Sequence, residues 1–449
     1  MPKLMKPRAV WLLPLALAGC TMYHAAPLSL KPPLQTSVAG LNRNLPDGTA
    51  VQLGMPLSAR NVAALAVLND PDLVAARAAH GVAQADLLSA GLLPDPVISG
   101  GFAALISGPG SAPSITGSLM QDVSALITYS ANVRAAKAGV AQVDADILWQ
   151  EWQVASAAEQ LCILIQGDNE TLDSLRADQN ALTAVNTSTS NATASGNLTI
   201  AQSSSSLAAL ATTATALNNA RQTLAQDQDA LDALLDLQPG VVIDIKAGPV
   251  DQIDPALANE AIATLASRRP DLIALRYGYQ QADARLRAAI LTQFLPVTVG
   301  AAGGSDTSKV VSIGPQVSLT LPLFNRNRGG IASATATRAQ LAAQFNASLA
   351  SAQGSAAALL MEIGLLQSQS TAAAQAADVA SGIAANAHTA FVNGNLDALS
   401  AVSLQTASAD RRREAIALRV QLLTARLSLA TLLGIGLPPV ATTDLEPAQ

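Results

Sequence analysis

The chain repeats itself. "PDL" at Pro71–Leu73 returns at Pro270–Leu272, Leu93-Pro94 returns as Leu295-Pro296, and Ser118-Leu119 as Ser318-Leu319. "GNL" at Gly196–Leu198 returns at Gly394–Leu396, and Leu224, Leu231, Leu234 and Leu235 find counterparts in Leu422, Leu429, Leu432 and Leu433. Matches that keep one order and nearly one spacing mark a duplicated unit, so whatever one half folds into, the other must also form. The halves run over 57–235 and 257–436. A Pro/Gly-punctuated connector at 236–256, built on "DLQPGVVIDIKAGPVDQIDP", lies between them; a linker at 20–56 precedes the pair and a tail at 437–449 follows it.

Each unit reads as helix, strand, turn, strand, long helix, tight turn and returning helix. The first helix is expected from Ser58 to Gly91, and its counterpart from Asn259 to Phe294. Strands are expected at about 96–106 and 114–123, then at about 296–304 and 310–324. The last is the clearest: Val311, Ile313, Val317, Leu319, Leu321 and Leu323 alternate with Ser312, Gly314, Gln316, Ser318 and Thr320, the period of two that defines a strand. Pro315 has no N–H to give a ladder and demands a bulge or an edge. The other three strands are Gly-rich and weaker.

After Gly330 the period lengthens. Leu341, Phe345, Leu349, Ala352, Ala356, Leu359, Ile363, Leu366, Ser370, Ala373, Ala377, Ala380, Ala384, Ala387 and Phe391 fall at threes and fours, a coiled-coil seam. A continuous helix from Ile331 to Asn393 would reach roughly 95 Å. Half of all residues are hydrophobic, yet only 3% are aromatic and 13% charged; alanine carries the count, which favours many close helix contacts over one thick core. The net charge of −6 argues against a nucleic-acid partner. His24, His80 and His388 are scattered, and no cluster has metal-ligand or nucleotide-loop spacing, so an enzyme is the least favoured class. "DRRR" at Asp410–Arg413 is expected to be a solvated or interhelical ion-paired face.

Lys3, Lys6 and Arg8 precede a short apolar run from Ala9 to Ala18, too short to span a bilayer. It ends in Leu17-Ala18-Gly19-Cys20, which resembles a bacterial lipobox: residues 1–19 would be a lipoprotein signal peptide, Cys20 the lipidated first mature residue, and Thr21 after it resembles outer-membrane sorting. Cys162 would then be the one remaining cysteine, an inert core thiol in "EQLCILIQ".

Four strands of about ten residues suit a tilted bilayer crossing, but transmembrane barrels begin at about eight. An open edge in lipid is forbidden, so copies of the chain must close the sheet or the strands lie outside the membrane. The duplicated order, the lipobox, "LPLFNRNRGGIA" and both "GNL" turns together resemble a TolC-type outer-membrane factor, the exit duct of tripartite efflux and type I secretion systems. The resemblance covers nearly all of the mature chain.

It implies a mainly α fold with a small transmembrane β part. Three copies would form a 12-stranded β-barrel continuous with a long α-helical periplasmic barrel, in the outer membrane and with no cofactor beyond the lipid on Cys20. Pro322, Phe324, Gly329 and Gly330 would form the strand–helix junction, Pro322 ending the ladder and the glycines turning the backbone. Gly196, Asn197, Leu198, Gly394, Asn395 and Leu396 would be the periplasmic tips, where an adaptor docks and links the duct to an inner-membrane pump. Family aspartates that constrict the entrance are replaced here by Ser400 and Ser403, leaving Asp397 as the aperture candidate. Small toxic compounds or metal cations are the expected cargo, with "PLFNRN" slightly nearer the heavy-metal branch. The rival reading is a lipid-anchored periplasmic scaffold or adaptor without a pore, which gives the strands no purpose.

Overall fold

A computed structural model of the protein describes residues 23–31, 34–45, 48–54, 56–294 and 296–437. The signal segment 1–19, Cys20 and residues 438–449 of the tail lie outside the described residues.

The first half contains β1 (Leu57–Ser58), α1 (Ala59–Asn69), α2 (Pro71–Gly91), β2 (Val97–Ala103), β3 (Ser114–Asp122), α3 (Ser124–Ala194) and α4 (Ile200–Leu234). After β4 (Ile245–Lys246) in the connector, the second half repeats the order. It comprises α5 (Pro255–Ala263), α6 (Leu265–Arg268), α7 (Pro270–Leu291), β5 (Val297–Ser305), β6 (Val311–Leu319), α8 (Arg328–Val392) and α9 (Ala398–Leu433). At 71 and 65 residues, α3 and α8 extend about 105 and 98 Å.

The first helix of each half is not continuous, contrary to the reading of 58–91 and 259–294. The repeated Pro-Asp-Leu breaks both. Pro71 and Pro270 are tolerated as first helical residues but force the residue before them out of the helix. Asp70 (φ −53°, ψ 123°) and Arg269 (φ −77°, ψ 124°) are the extended residues at the breaks. The Asp70 carboxylate caps the new helix by accepting the Leu73 amide at 2.8 Å.

Each half has its own core. Leu57, Val62 and Leu65 pack with Cys162, Ile165, Leu231, Leu235 and Leu237 in one. Leu265 and Leu272 pack with Ala352, Ala356, Leu429 and Leu433 in the other. The leucines that reveal the repeat, Leu231 and Leu235 with Leu429 and Leu433, are thus core anchors, each contributing about 1.5–3 kcal/mol by burial. Cys162 is fully buried, and burial pushes its thiol pKa up to about 12, so it is inert. The connector is pinned to the first half through parallel pairing of Leu57 with Ile245. The Asp232 carboxylate holds it further by accepting the amides of Gly240 (3.0 Å) and Val241 (3.1 Å).

Near the strands the helices pack in the row α2–α3–α7–α8. The antiparallel sheet has the matching order β2–β3–β5–β6. Farther away, α3 and α4 form one hairpin, α8 and α9 another, and α3 packs on α9. Every residue of α8 that is fully buried (Ala352, Ala356, Leu366, Ala373, Ala377, Ala384 and Ala387) belongs to the periodic seam read from the sequence.

Candidate functional site

The cross-strand register sorts the sheet into two chemically distinct faces. Ile98, Phe102, Ile115, Leu119, Val299, Val311, Ile313, Val317 and Leu319 share one face, and all are exposed. Ser99, Thr116, Ser118, Thr298, Ser312, Gln316 and Ser318 share the other, with Gly101, Gly300 and Gly304 between them. Val97 and Met120, paired at the base, are the apolar exceptions. A groove runs along the polar face, lined by Ser99, Thr116, Ser118, Ala302, Gly304 and Gln316, so the sheet curls toward its hydroxyls. A water-soluble sheet buries its apolar face; this one turns the apolar face outward on the convex side.

The two sheet edges are unpaired, and hydrogen-bond parity identifies what they offer. Asp306 donates to the Val310 carbonyl (3.1 Å) and Thr320 to the Pro296 carbonyl (3.2 Å). Even-numbered residues of β6 therefore bond to β5, and odd-numbered ones face the open edge. The register runs without a bulge from Val297↔Leu319 to Ser305↔Val311. Pro315 thus sits on an edge strand with its donorless nitrogen turned outward. On the opposite edge, the Val123 amide donates to the Val297 carbonyl (3.1 Å). By the same alternation Ile98, Gly100 and Phe102 of β2 face outward.

The ladder of β6 ends at Leu319, short of the 310–324 expected, and Pro322 lies beyond it. The turn into α8 is not made by Gly329 and Gly330, as the sequence reading had it. Both lie inside the first turn of α8, and the left-handed residues are Arg326 (φ 45°) and Asn327 (φ 51°). The Asn327 amide donates to the Ala289 carbonyl of α7 at 2.8 Å. A Cβ on Gly330 would collide with that side chain, so this glycine supplies room rather than a turn. Phe324 is 93% exposed at the junction. With Phe294 and Tyr129 it places three aromatic rings at the helical end of the sheet, while Phe102 lies toward the other end.

At the far end, Gly196 and Gly394 close equivalent reversals with φ of 75° and 77°. In each, the glycine amide donates three residues back and the following Asn five back: Asn197 to Ala192 and Asn395 to Ala390, both 2.8 Å. Leu198 and Leu396 are half-buried beside them. Asp397 is the N-cap of α9, its carboxylate accepting the Ser400 amide (2.9 Å) and hydroxyl (2.7 Å). Those two bonds hold its pKa below the ordinary carboxylate value.

The sequence reading missed a polar ladder between α3 and α9. The Trp152 indole donates to the Thr431 carbonyl (3.0 Å), and Ser156 pairs with the Thr431 hydroxyl (2.6 Å). Farther down, Arg419 pairs with Glu170 and Arg412 with the buried Asp178. "DRRR" is therefore one interhelical pair, Arg412–Asp178, flanked by local pairs of Arg411 with Glu414 and Arg413 with Asp410. Burial still raises Asp178, against the pull of Arg412 and Arg413. Aspartates that pair across helices 200 residues apart in sequence leave no local signal.

Residues 261–435 match the family described as outer membrane efflux protein. That match takes in nearly all of the second half. The fold of the whole chain agrees with that match. The outer membrane protein VceC of Vibrio cholerae superimposes with a TM-score of 0.70 at 19% identity, covering 84% of this chain and 96% of VceC. The open state of the MtrE outer membrane channel of Neisseria gonorrhoeae gives 0.66 at 17% identity, covering 94% and 99%. The CmeC outer membrane channel of Campylobacter jejuni gives 0.69 at 16%, covering 84% and 85%. A sequence comparison with curated proteins finds no match. The resemblance to TolC-type outer-membrane factors is thus supported by the family match over the second half and by the fold of the whole chain, mostly helical with a few strands.

Burial, and then the neighbouring Asp227 charge, raise Asp168 on α3 from 3.8 to about 6. The folded chain keeps this proton up to about pH 6, whereas the unfolded chain releases it near pH 4. Folded protein therefore binds more protons in that window, and stability falls as pH rises through it. Asp168→Asn is expected to raise the unfolding temperature at pH 7.5 and leave it nearly unchanged at pH 3.5. Because the site is partly exposed, the gain should be on the order of 1 kcal/mol. Thermal unfolding of both proteins at the two pH values checks this.

Proposed function

We propose that the protein is the passive outer-membrane exit duct of a tripartite efflux system. Three copies would close a twelve-stranded barrel that continues as a helical tunnel across the periplasm. The observation that carries this reading is the pair of open edges on a sheet whose apolar face is convex and exposed. One long side of the protomer ends in α2 and β2, the other in β6 and α8. Two different edges that seal against each other form a head-to-tail interface, which ends in a ring when the rotation closes. Eight strands from two copies would leave an interior filled by side chains; twelve leave an aqueous passage, matching the small hydroxyl-bearing residues of the concave face.

The helices are not the membrane-crossing part. Both α8 and α9 include windows long and apolar enough to span a bilayer, but α8 at about 98 Å is three times the hydrocarbon thickness. Its alanine stripe is used against its neighbours. In this reading Cys20 carries a lipid anchor, and the reversals at Gly196–Leu198 and Gly394–Leu396 receive a periplasmic adaptor that couples the duct to an inner-membrane pump. Opening is a shift in the packing of the helical hairpins at those tips, biased by the adaptor. Transport energy comes from the pump.

Purified protein in planar lipid bilayers is expected to give single-channel currents, whereas a lipid-anchored scaffold would give none. At the tips, no atom would obstruct a Cβ on Gly196 or Gly394; only the positive φ would, at about 1–2 kcal/mol for an L-residue. Replacing both by Ile is therefore expected to leave assembled trimers in the outer membrane while abolishing efflux. Normal efflux by that double variant would remove the tip assignment. Pro315→Val restores a donor to the edge of β6. If a neighbouring copy's β2 lies there, trimers of the variant will resist dissociation by heat in SDS better than wild type, by about 1 kcal/mol per seam. An edge left in water would give no change.

A further inference from the structure

The two helical tips carry almost no charge. From Gln179 to Ala220 there is no Asp, Glu, Lys, Arg or His, and from Val379 to Ala409 there are only His388 and Asp397. These segments are the whole lower ends of the α3–α4 and α8–α9 hairpins, on both sides of Gly196 and Gly394. Because every position is included, the result does not depend on which helix faces point inward. Asp378 and Asp410 each stand 16 residues from Gly394 and Asp178 stands 18 from Gly196, about 24–27 Å along the helices. That is roughly three Debye lengths at physiological salt, so those charges are largely screened at the turns.

We infer that the narrow periplasmic mouth of the duct, with Asp397 as its one fixed charge per copy, is too sparsely charged to select by sign, so that it admits anionic and uncharged solutes as readily as cationic ones. The inference rests on the pore reading above and adds the solute class to it. His388 has an exposed ring near the end of α8, and Asp397 is the one fixed anion. Its carboxylate is held in the capping bonds to Ser400, at the N-terminus of α9, where the peptide dipoles oppose its charge. The other end of the passage matches. There the concave face presents Ser99, Thr116, Ser118, Ser312 and Gln316, with Asp122 at the base of β3 and Asp306 at the β5–β6 turn as its acids. Each end thus carries isolated acids, one per copy at a given level, rather than the dense stacked rings of like charge by which pores select ions. Selection by charge therefore falls to whatever loads the duct, and the duct itself confers no preference for metal cations.

The test is the reversal potential of the full-length protein in planar bilayers under a potassium chloride gradient, for wild type and Asp397→Asn. The expected potassium-to-chloride permeability ratio is below about 5, the range of a passage without a charged constriction, and Asp397→Asn shifts it by less than about twofold. A ratio above that limit overturns the inference. So does a ratio that collapses in Asp397→Asn, which would make the Asp397 ring the filter. Electrical silence would remove the pore, and this inference with it, and is distinguishable from both.

Discussion

An unpaired peptide group in hydrocarbon has nothing to bond, and each one costs several kcal/mol. The whole chain answers to that constraint. Four strands expose two edges, and the outward N–H and C=O groups of β2 and β6 must find partners wherever the apolar convex face meets lipid. The row of helices α2–α3–α7–α8 repeats the strand order, so a second copy that sealed the edge of β6 with its β2 would also bring its α2 beside α8. Exposed Val74, Val82 and Leu88 supply apolar surface along α2 for such a contact.

The long helices have a different problem. A helix of about 100 Å cannot be held by a single core, so contacts must recur along its length. Alanine at the seam positions solves this by bringing backbones close, at the cost of little buried area per residue. The two leucine-rich clusters compensate at mid-length, where the connector and the short helices α1, α5 and α6 add a second layer.

Periodicity made the long helices and their buried stripe legible, because a seam of threes and fours has one structural solution. Duplication made the element order legible twice over. The strands were readable only where apolar and polar residues alternate, in β6. In β2, β3 and β5 glycine hides the alternation, and only the register shows that Ile98, Leu119 and Val317 share a face. The helix breaks at Asp70 and Arg269 were present in the sequence as the same "PDL" that revealed the repeat; the strong helical pattern on either side masked the effect of proline on its predecessor. At the strand–helix junction, glycine was credited with a turn that Arg326 and Asn327 make. An Asn can occupy left-handed backbone when its side chain gains a partner, here the Ala289 carbonyl, and no local pattern announces that partner.

The α3–α9 ladder divides the helical part into two mechanical regimes. From Trp152–Thr431 down to Asp178–Arg412, directional bonds fix the halves against each other, and Gly167 lets Val420 approach too closely for any Cβ. Beyond Asp178, the described contact between α3 and α9 is a small apolar cluster of Leu182, Val185 and Val402, with Phe391 beside it. Apolar contacts tolerate sliding; an Arg–carboxylate pair of fixed geometry does not. Relative motion of the two hairpins is therefore cheapest in the last 18 or so residues before each glycine turn, a length that coincides with the uncharged segment. The absence of charge there has a mechanical consequence as well as an electrical one, since no ion pair has to be broken for the tips to move.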